Sequence, residues 1–281
     1  LLYQYFPQGE KGAFLFLRWV DQFLPLAFTG LFINIGLFAH LVIMWVGPLQ
    51  VQVQGLFVGA PYHDVPALVA FLTILVTTVN FVVSVEVNFY PKYKNYYSLF
   101  NDKGAVGDIT QAGEEMLKVL NVELKYTALK QLLATALAIS LGGLLLEYVP
   151  LGFNDLMEGY FRTLCVGYGI YAVANTILLL LLYFTDYKGA LAASGCFAGG
   201  TVLFTVISLF FPRVYYGFGF LTGSAVFFLI AAFRLDYYTK RLPYYILSVQ
   251  PVVAREKRGK FSRLGFFLSK KLERSQNSEK I

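Results

Sequence analysis

The chain has 281 residues, 57% of them hydrophobic and only 14% charged, with a mean hydropathy of +0.59 and a net charge of +6. A soluble domain carries about 25% charged residues, so this composition excludes an ordinary water-soluble globule. The basic residues flank apolar runs instead of clustering on a polar fold, which favours topology determinants over a nucleic-acid-binding surface. Both cysteines, Cys165 and Cys196, sit inside apolar runs with no metal spacing and read as small packing residues.

The chain opens on Leu1, and LLYQYFPQGEK has no basic-then-apolar signal layout. It is therefore expected to begin upstream, with this sequence as a carboxy-terminal portion. Six membrane spans are expected, at about residues 24–46, 66–87, 126–146, 161–183, 189–211 and 218–233. They divide the chain into the first two spans with their flank (1–87), a cytoplasmic insertion (88–125), the last four spans (126–233) and a basic tail (234–281). The fold class is all-α, a polytopic helical membrane protein.

The second span runs out in VEVNFYPKYKNYYSLF, where tyrosines alternate with lysines as at a headgroup boundary. Pro91 is expected to kink any helix that continues, because it removes a donor and crowds the preceding turn. In the insertion, Asp108 and Gln111 fit a capping box. Ile109, Ala112, Met116, Leu120 and Leu124 form an apolar stripe expected to lie along the membrane surface as a connector, with a docking surface for a cytoplasmic partner as the alternative. In the tail, lysine and arginine interleave with Phe261, Leu264, Phe266 and Phe267, a mixture suited to anionic membrane lipids. Residues 276–281 are expected to be disordered. Twenty-one of the 23 lysines and arginines fall on one set of alternate connections. The positive-inside rule then places both ends and the insertion in the cytoplasm.

Catalysis has little to work with. His40 reads as an interfacial anchor, and His63, beside Asp64 in the first outer loop, as a solvated loop residue. No nucleophile motif, P-loop or metal-ligand spacing accompanies them, so neither enzyme activity nor a metal or cofactor is expected. Gly195 with Gly199 and Gly219 with Gly223 form two GxxxG pairs that suit close helix packing.

Polar groups at membrane depth are the candidate transport path. Asn34 lies centrally in the first span, one turn after Gly30. Thr73, Thr77, Asn80, Ser84 and Glu86 recur down the second. Tyr168, Tyr171 and Asn175 share a face of the fourth, opposite Ile170, Val173 and Ile177. Such residues bond to another helix or line a wet cavity, and Glu86 could equally sit among headgroups. No Asp or Glu lies deep in a span, so if export is coupled to an ion, its site, a carboxylate or a cluster of unwound carbonyls, is expected upstream, outside this sequence.

The stretches RWVDQFLPLAFTGLFINIGLFAH, APYHDVPALVAFL, VEVNFYPKYKNYYSLF, YFTDYKGAL, VYYGFGFL and RLPYYILSVQP carry a resemblance reaching to about Pro251. The chain resembles the PelG family, the membrane protein of Pel exopolysaccharide export, within the multidrug, oligosaccharidyl-lipid and polysaccharide flippase superfamily. The resemblance implies about twelve spans in two bundles, of which the present spans form the second. It implies passage of a growing or lipid-linked polysaccharide across the cytoplasmic membrane of a bacterium. The implied partners are a cytoplasmic glycosyltransferase and other membrane subunits of the export system. A flippase for drugs or lipid-linked precursors, or a non-transporting scaffold for a glycosyltransferase, are the alternatives.

Overall fold

The computed structural model describes residues 14, 16–101, 104–148, 152–249 and 259–278. The expectations for residues 1–13, the basic run 255–258 and residues 279–281 lie outside them. Residues 29–241 form one compact unit, and the described parts of 1–28 and 242–281 form another.

In the larger unit, helix α1 (Leu17–Trp45, whose first residues belong to the smaller unit) is followed by a hairpin that hydropathy alone treats as loop. Its strands β1 (Val51–Gln54) and β2 (Phe57–Gly59) pair antiparallel around Gly55, which takes φ +59°. Glycine adopts that backbone without a Cβ penalty.

A helical run then extends from residue 61 to 101 in successive windings. These are α2 (Pro61–Phe71), a 3₁₀ turn (Leu72–Ile74), α3 (Leu75–Val83), a π segment (Ser84–Phe89) and α4 (Tyr90–Asn101). The run continues past Pro91 without ending. The π segment lies just before the proline, and the Tyr90 N–H reaches back to the Val85 carbonyl, five residues earlier. This wider winding changes the register where a proline ring would crowd an α-helix and leave a carbonyl without its donor.

Helix α5 (Val106–Tyr148) has 43 residues and contains both the amphipathic stripe and the expected third span. Ala112, Met116 and Leu120 of the stripe are buried, and Gly113 lies close to the ring of Tyr96 on α4. This apolar face is covered by the chain itself, not by a membrane surface. The exposed side of α5 carries Leu129, Leu132, Leu133, Leu137 and Leu141, a face suited to lipid.

The last three long helices are α6 (Asp155–Tyr183), α7 (Tyr187–Ser208) and α8 (Phe218–Thr239). Asn154 caps α6 by accepting the Met157 N–H at 2.9 Å. The most apolar window of α6 is 72% buried, against 22% for α1. So α6 is the centre of the unit, packed against α2, α5, α7 and α8. Among the described residues, five helical segments are long and apolar enough to cross a membrane: Leu17–Trp45, Pro61–Phe100, Asp155–Tyr183, Tyr187–Ser208 and Arg213–Thr239. The remaining expected span, the third, falls inside α5.

The smaller unit contains the start of α1, α9 (Leu242–Val249) and α10 (Lys260–Ser278). Asp21 accepts from the backbone N–H groups of Phe261 and Ser262 and from the Ser262 hydroxyl. A carboxylate at a helix N-terminus satisfies donors that the helix leaves free. Helix α10 continues through Ser278, into residues expected to be disordered.

Candidate functional site

The polar stripe of the second span faces α5 and is answered there rung by rung. Thr77 donates to Gln131 at 2.5 Å, and Asn80 donates to Thr127 at 2.8 Å while accepting from Lys130. Ser84 donates to Glu123, and Asn88 donates to the same carboxylate at 2.8 Å. Lys92 pairs with Glu115 at 2.9 Å. The hydrogen bond from Lys92, backed by its charge, holds the Glu115 carboxyl below its ordinary range. Two members of the stripe stand outside this ladder. Thr73 bonds the Ala70 carbonyl, and Glu86, exposed in the π segment, accepts from Tyr183 at 3.2 Å.

The fourth-span face is divided. Tyr168 and Tyr171 are buried, at 3% and 5% exposure, in an aromatic core. The Tyr168 ring packs on Phe220 at 4.6 Å and edge-on to Phe71 at 5.5 Å. Tyr171 stacks on Phe197 at 5.4 Å, which in turn stacks on Phe227 at 4.7 Å. Asn175 is half-buried and makes no side-chain hydrogen bond among the described residues. On the other side of α6, Val166, Gly169, Ile170 and Val173 floor an open, apolar groove of about 560 Å³ between α5 and α8. Asn34 is exposed on α1, and its amide donates only to its own Gly30 carbonyl, at 2.8 Å. The structure thus brings Tyr168 and Tyr171 together and leaves Asn34, Asn80 and Glu86 in separate surroundings.

The histidine expectations are corrected. His63 is not a solvated loop residue and His40 is not an interfacial anchor: both are fully buried. Pro61 and the Ala60 carbonyl start α2 two residues before His63, which turns its first-turn side chains toward α1 and α6. A proline at the first helical position signals such a start, and it could have placed His63 on a helix. The His40 and His63 ring centroids lie 5.2 Å apart in an edge-to-face arrangement. His63 also meets Tyr160 at 5.6 Å, and His40 meets Phe220 at 4.5 Å. The Tyr168 hydroxyl is 3.3 Å from His40 Nε2. Asp64 accepts from the Ala60 N–H and from Trp45 Nε1, both at 2.9 Å, tying the end of α1 to the start of α2.

The opposite end of the same unit is closed by residues that sequence reasoning did not single out. Asp186 caps α7 through the Gly189 N–H and receives both Nε (2.6 Å) and Nη2 (2.9 Å) of Arg234. Before it, Thr185 takes φ +61°. That turn is held by Tyr93, which donates to the Tyr183 carbonyl, and by Tyr238, which donates to that of Phe184. Arg234 reads in sequence as the first cation of the tail, and only its position inside the α8 helix hints at a partner.

A helical membrane unit with an aromatic core and polar seams, but with no cluster of three metal-ligating residues among those described, has the make-up of a passage or a binding bundle. A family model described as "PelG: Putative exopolysaccharide Exporter (EPS-E)" matches residues 1–247. No curated protein and no solved structure matches the chain. Among the described residues, the matched stretch covers every helix long and apolar enough to cross a membrane. It is a multi-pass membrane protein with a role in exopolysaccharide export, and it belongs to the PelG family.

Proposed function

We propose that the chain moves an exopolysaccharide across the cytoplasmic membrane by alternating access, its bundle rocking against a second one. The observation that carries this reading is Asn34. It is exposed among the apolar neighbours Leu31, Ile35 and Phe38, and its only described hydrogen bond lies within its own helix. A polar side chain at membrane depth faces a bundle interior or a wet cavity, so α1 is the wall turned toward the passage. In this reading Asn34, Glu86 and Asn175 offer groups that bond to sugar hydroxyls, the amides both donating and accepting, while Asn80, bonded to Thr127 and Lys130, braces the wall. Tyr168 and Tyr171 stiffen the wall from behind. Both ends of the chain lie in the cytoplasm, where a glycosyltransferase hands over the polymer to this and other membrane subunits.

Asn34→Leu removes no packing and no interhelical bond. It should reach the membrane at wild-type level, alone or with Asn175→Leu. One lost hydrogen bond is worth about 1 kcal/mol, or about a fivefold fall in secreted polymer. Unchanged secretion from the double variant would remove these side chains from the path. Orientation is tested separately. Gln52→Cys and Asn154→Cys should react with an impermeant thiol reagent in intact cells, and Asn101→Cys should not. Labelling at 101 would reverse the topology.

A lipid-linked precursor as the cargo is a second reading, favoured by the open apolar groove beside α6. Ile170→Trp, which fills the groove without touching Asn34, should then lower secretion as strongly as Asn34→Leu.

A further inference from the structure

We propose that His40 and His63 form one shared proton-binding site that couples export to a proton gradient, an inference that rests on the exporter reading above. The two histidines are the only ones in the chain, and neither exposes any surface. Both ring nitrogens of His63 have no hydrogen-bond partner, and His40 Nδ1 has none beyond a loose approach to the Leu37 backbone of its own helix. The fourth ring nitrogen faces the Tyr168 hydroxyl. Beside them the Asp64 Oδ1 is buried and unpartnered as well. Buried polar groups without partners are costly. The surroundings are Phe220 and the rings of Tyr160 and Tyr168, so two phenylalanines would suit this pocket better than two imidazoles. Packing therefore gives no account of the pair, and a change of protonation does.

A neutral imidazole carries one N–H and one lone pair. With centroids 5.2 Å apart, ring rotation brings a nitrogen of each into reach of a single proton. The step is simple: a lone pair on one ring takes a proton from hydronium, water leaves, and the new N–H is shared with the other ring. Release to water reverses it. A second proton is opposed by like charge, so the pair titrates as a unit. The groups facing it are few. From α2, Asp64 offers a carboxylate one residue from His63, and from α6 come the Tyr160 and Tyr168 hydroxyls. Arg213 and Tyr216 lie behind Tyr160. From α8 the facing residue is Phe220, which does not titrate, and from α1 only His40 itself faces the pair.

Coupling follows from where the rings sit. His40 is on α1, His63 on α2, and their contacts are on α6 and α8. The dry, closed packing favours the neutral pair, because a buried charge needs solvation or a counter-ion. The protonated pair favours an arrangement in which α1 and α2 part and admit water. Proton occupancy then biases the same motion that exposes the α1 wall, and by linkage the motion biases proton occupancy.

The test is a titration of full-length protein, labelled with nitrogen-15 histidine and reconstituted in liposomes, from about pH 8 to about pH 5 by solid-state NMR. About one imidazolium per chain should appear, shared by the two residues, and either His40→Gln or His63→Gln should shift the titration of the ring that remains. Two rings that stay neutral throughout, or that titrate independently of each other, would overturn the site. Because the wild-type titration needs no substitution, it decides even where a variant is lost from the membrane. In cells, His63→Gln at normal membrane level should cut gradient-driven secretion at least tenfold. Full, gradient-dependent secretion by the double Gln variant would overturn the coupling. Failure of the wild-type protein to move polymer at all would strike the exporter reading, while the titration would still decide whether the pair binds a proton.

Discussion

Arg234→Met should be among the most destabilising single substitutions in the chain, costing about 3–5 kcal/mol. Its guanidinium places two nitrogens on Asp186, whose side chain is only 5% exposed. Removing the cation leaves a carboxylate in a site closed by Phe184, Tyr93 and Tyr238, with only the Gly189 N–H to answer it. Arg234→Lys should recover part of the loss, since an ammonium is a point charge that cannot form the same fork. Asp186→Asn should cost less than Arg234→Met. It keeps a capping oxygen for Gly189, and the guanidinium it frees is partly exposed and lies over the rings of Tyr237 and Tyr238. The double variant Asp186→Asn/Arg234→Met should be more stable than Arg234→Met alone, because no unpaired charge stays buried. Denaturation of the detergent-solubilised protein measures all four. An Arg234→Met variant within about 1 kcal/mol of wild type would mean that the pair is solvated and contributes as little as a surface bridge.

That pair shows where the sequence stops being legible. Span positions follow from runs of apolar residues, a property each segment carries by itself, and so the first, second, fourth, fifth and sixth expected spans coincide with long apolar helices. The amphipathic stripe of α5 is equally local, and its burial was predictable from Ala112, Met116 and Leu120. Its cover was not, because whether a stripe meets lipid or α4 depends on how the chain folds back after residue 101. The same limit applies to the ladder. Thr77, Asn80 and Ser84 announce a polar face, but Thr127, Gln131 and Glu123 answer it only through the crossing of two helices. His63 was misread for a different reason. Its burial depends on α2 starting at Pro61, within a loop that hydropathy treats as featureless. The hairpin before it, VQVQ and FVG around Gly55, is too short and too exposed to leave a period in the sequence.

The two GxxxG pairs look alike in sequence and should behave oppositely. A Cβ added at Gly219 would lie 2.5 Å from Thr205 Cα and 2.7 Å from its backbone nitrogen. At Gly223 it would lie 2.5 Å from Thr201 Oγ1 and 2.8 Å from Thr201 Cα. These are backbone approaches between α8 and α7, the kind that small residues permit where no aqueous hydrophobic effect drives helices together. By contrast, the nearest atom to a Cβ at Gly195 is 3.7 Å away on Phe32, and nothing lies within 4 Å at Gly199. Gly219→Ala and Gly223→Ala should therefore each cost about 1–3 kcal/mol, the range for overpacking, because a helix axis cannot yield as a side chain does. Gly195→Ala and Gly199→Ala should be neutral, or stabilising by up to about 1 kcal/mol through helix propensity. Thr201→Ala added to Gly223→Ala should rescue only part of the loss, since it clears the hydroxyl but leaves the α7 backbone at residue 201 as close as before. Unfolding of the five variants in detergent gives the ordering. Equal tolerance at Gly219 and Gly199 would show that α7 and α8 pack less closely than 2.5 Å implies, and the interaction holding them would then have to be sought along the stack of Phe197 on Phe227.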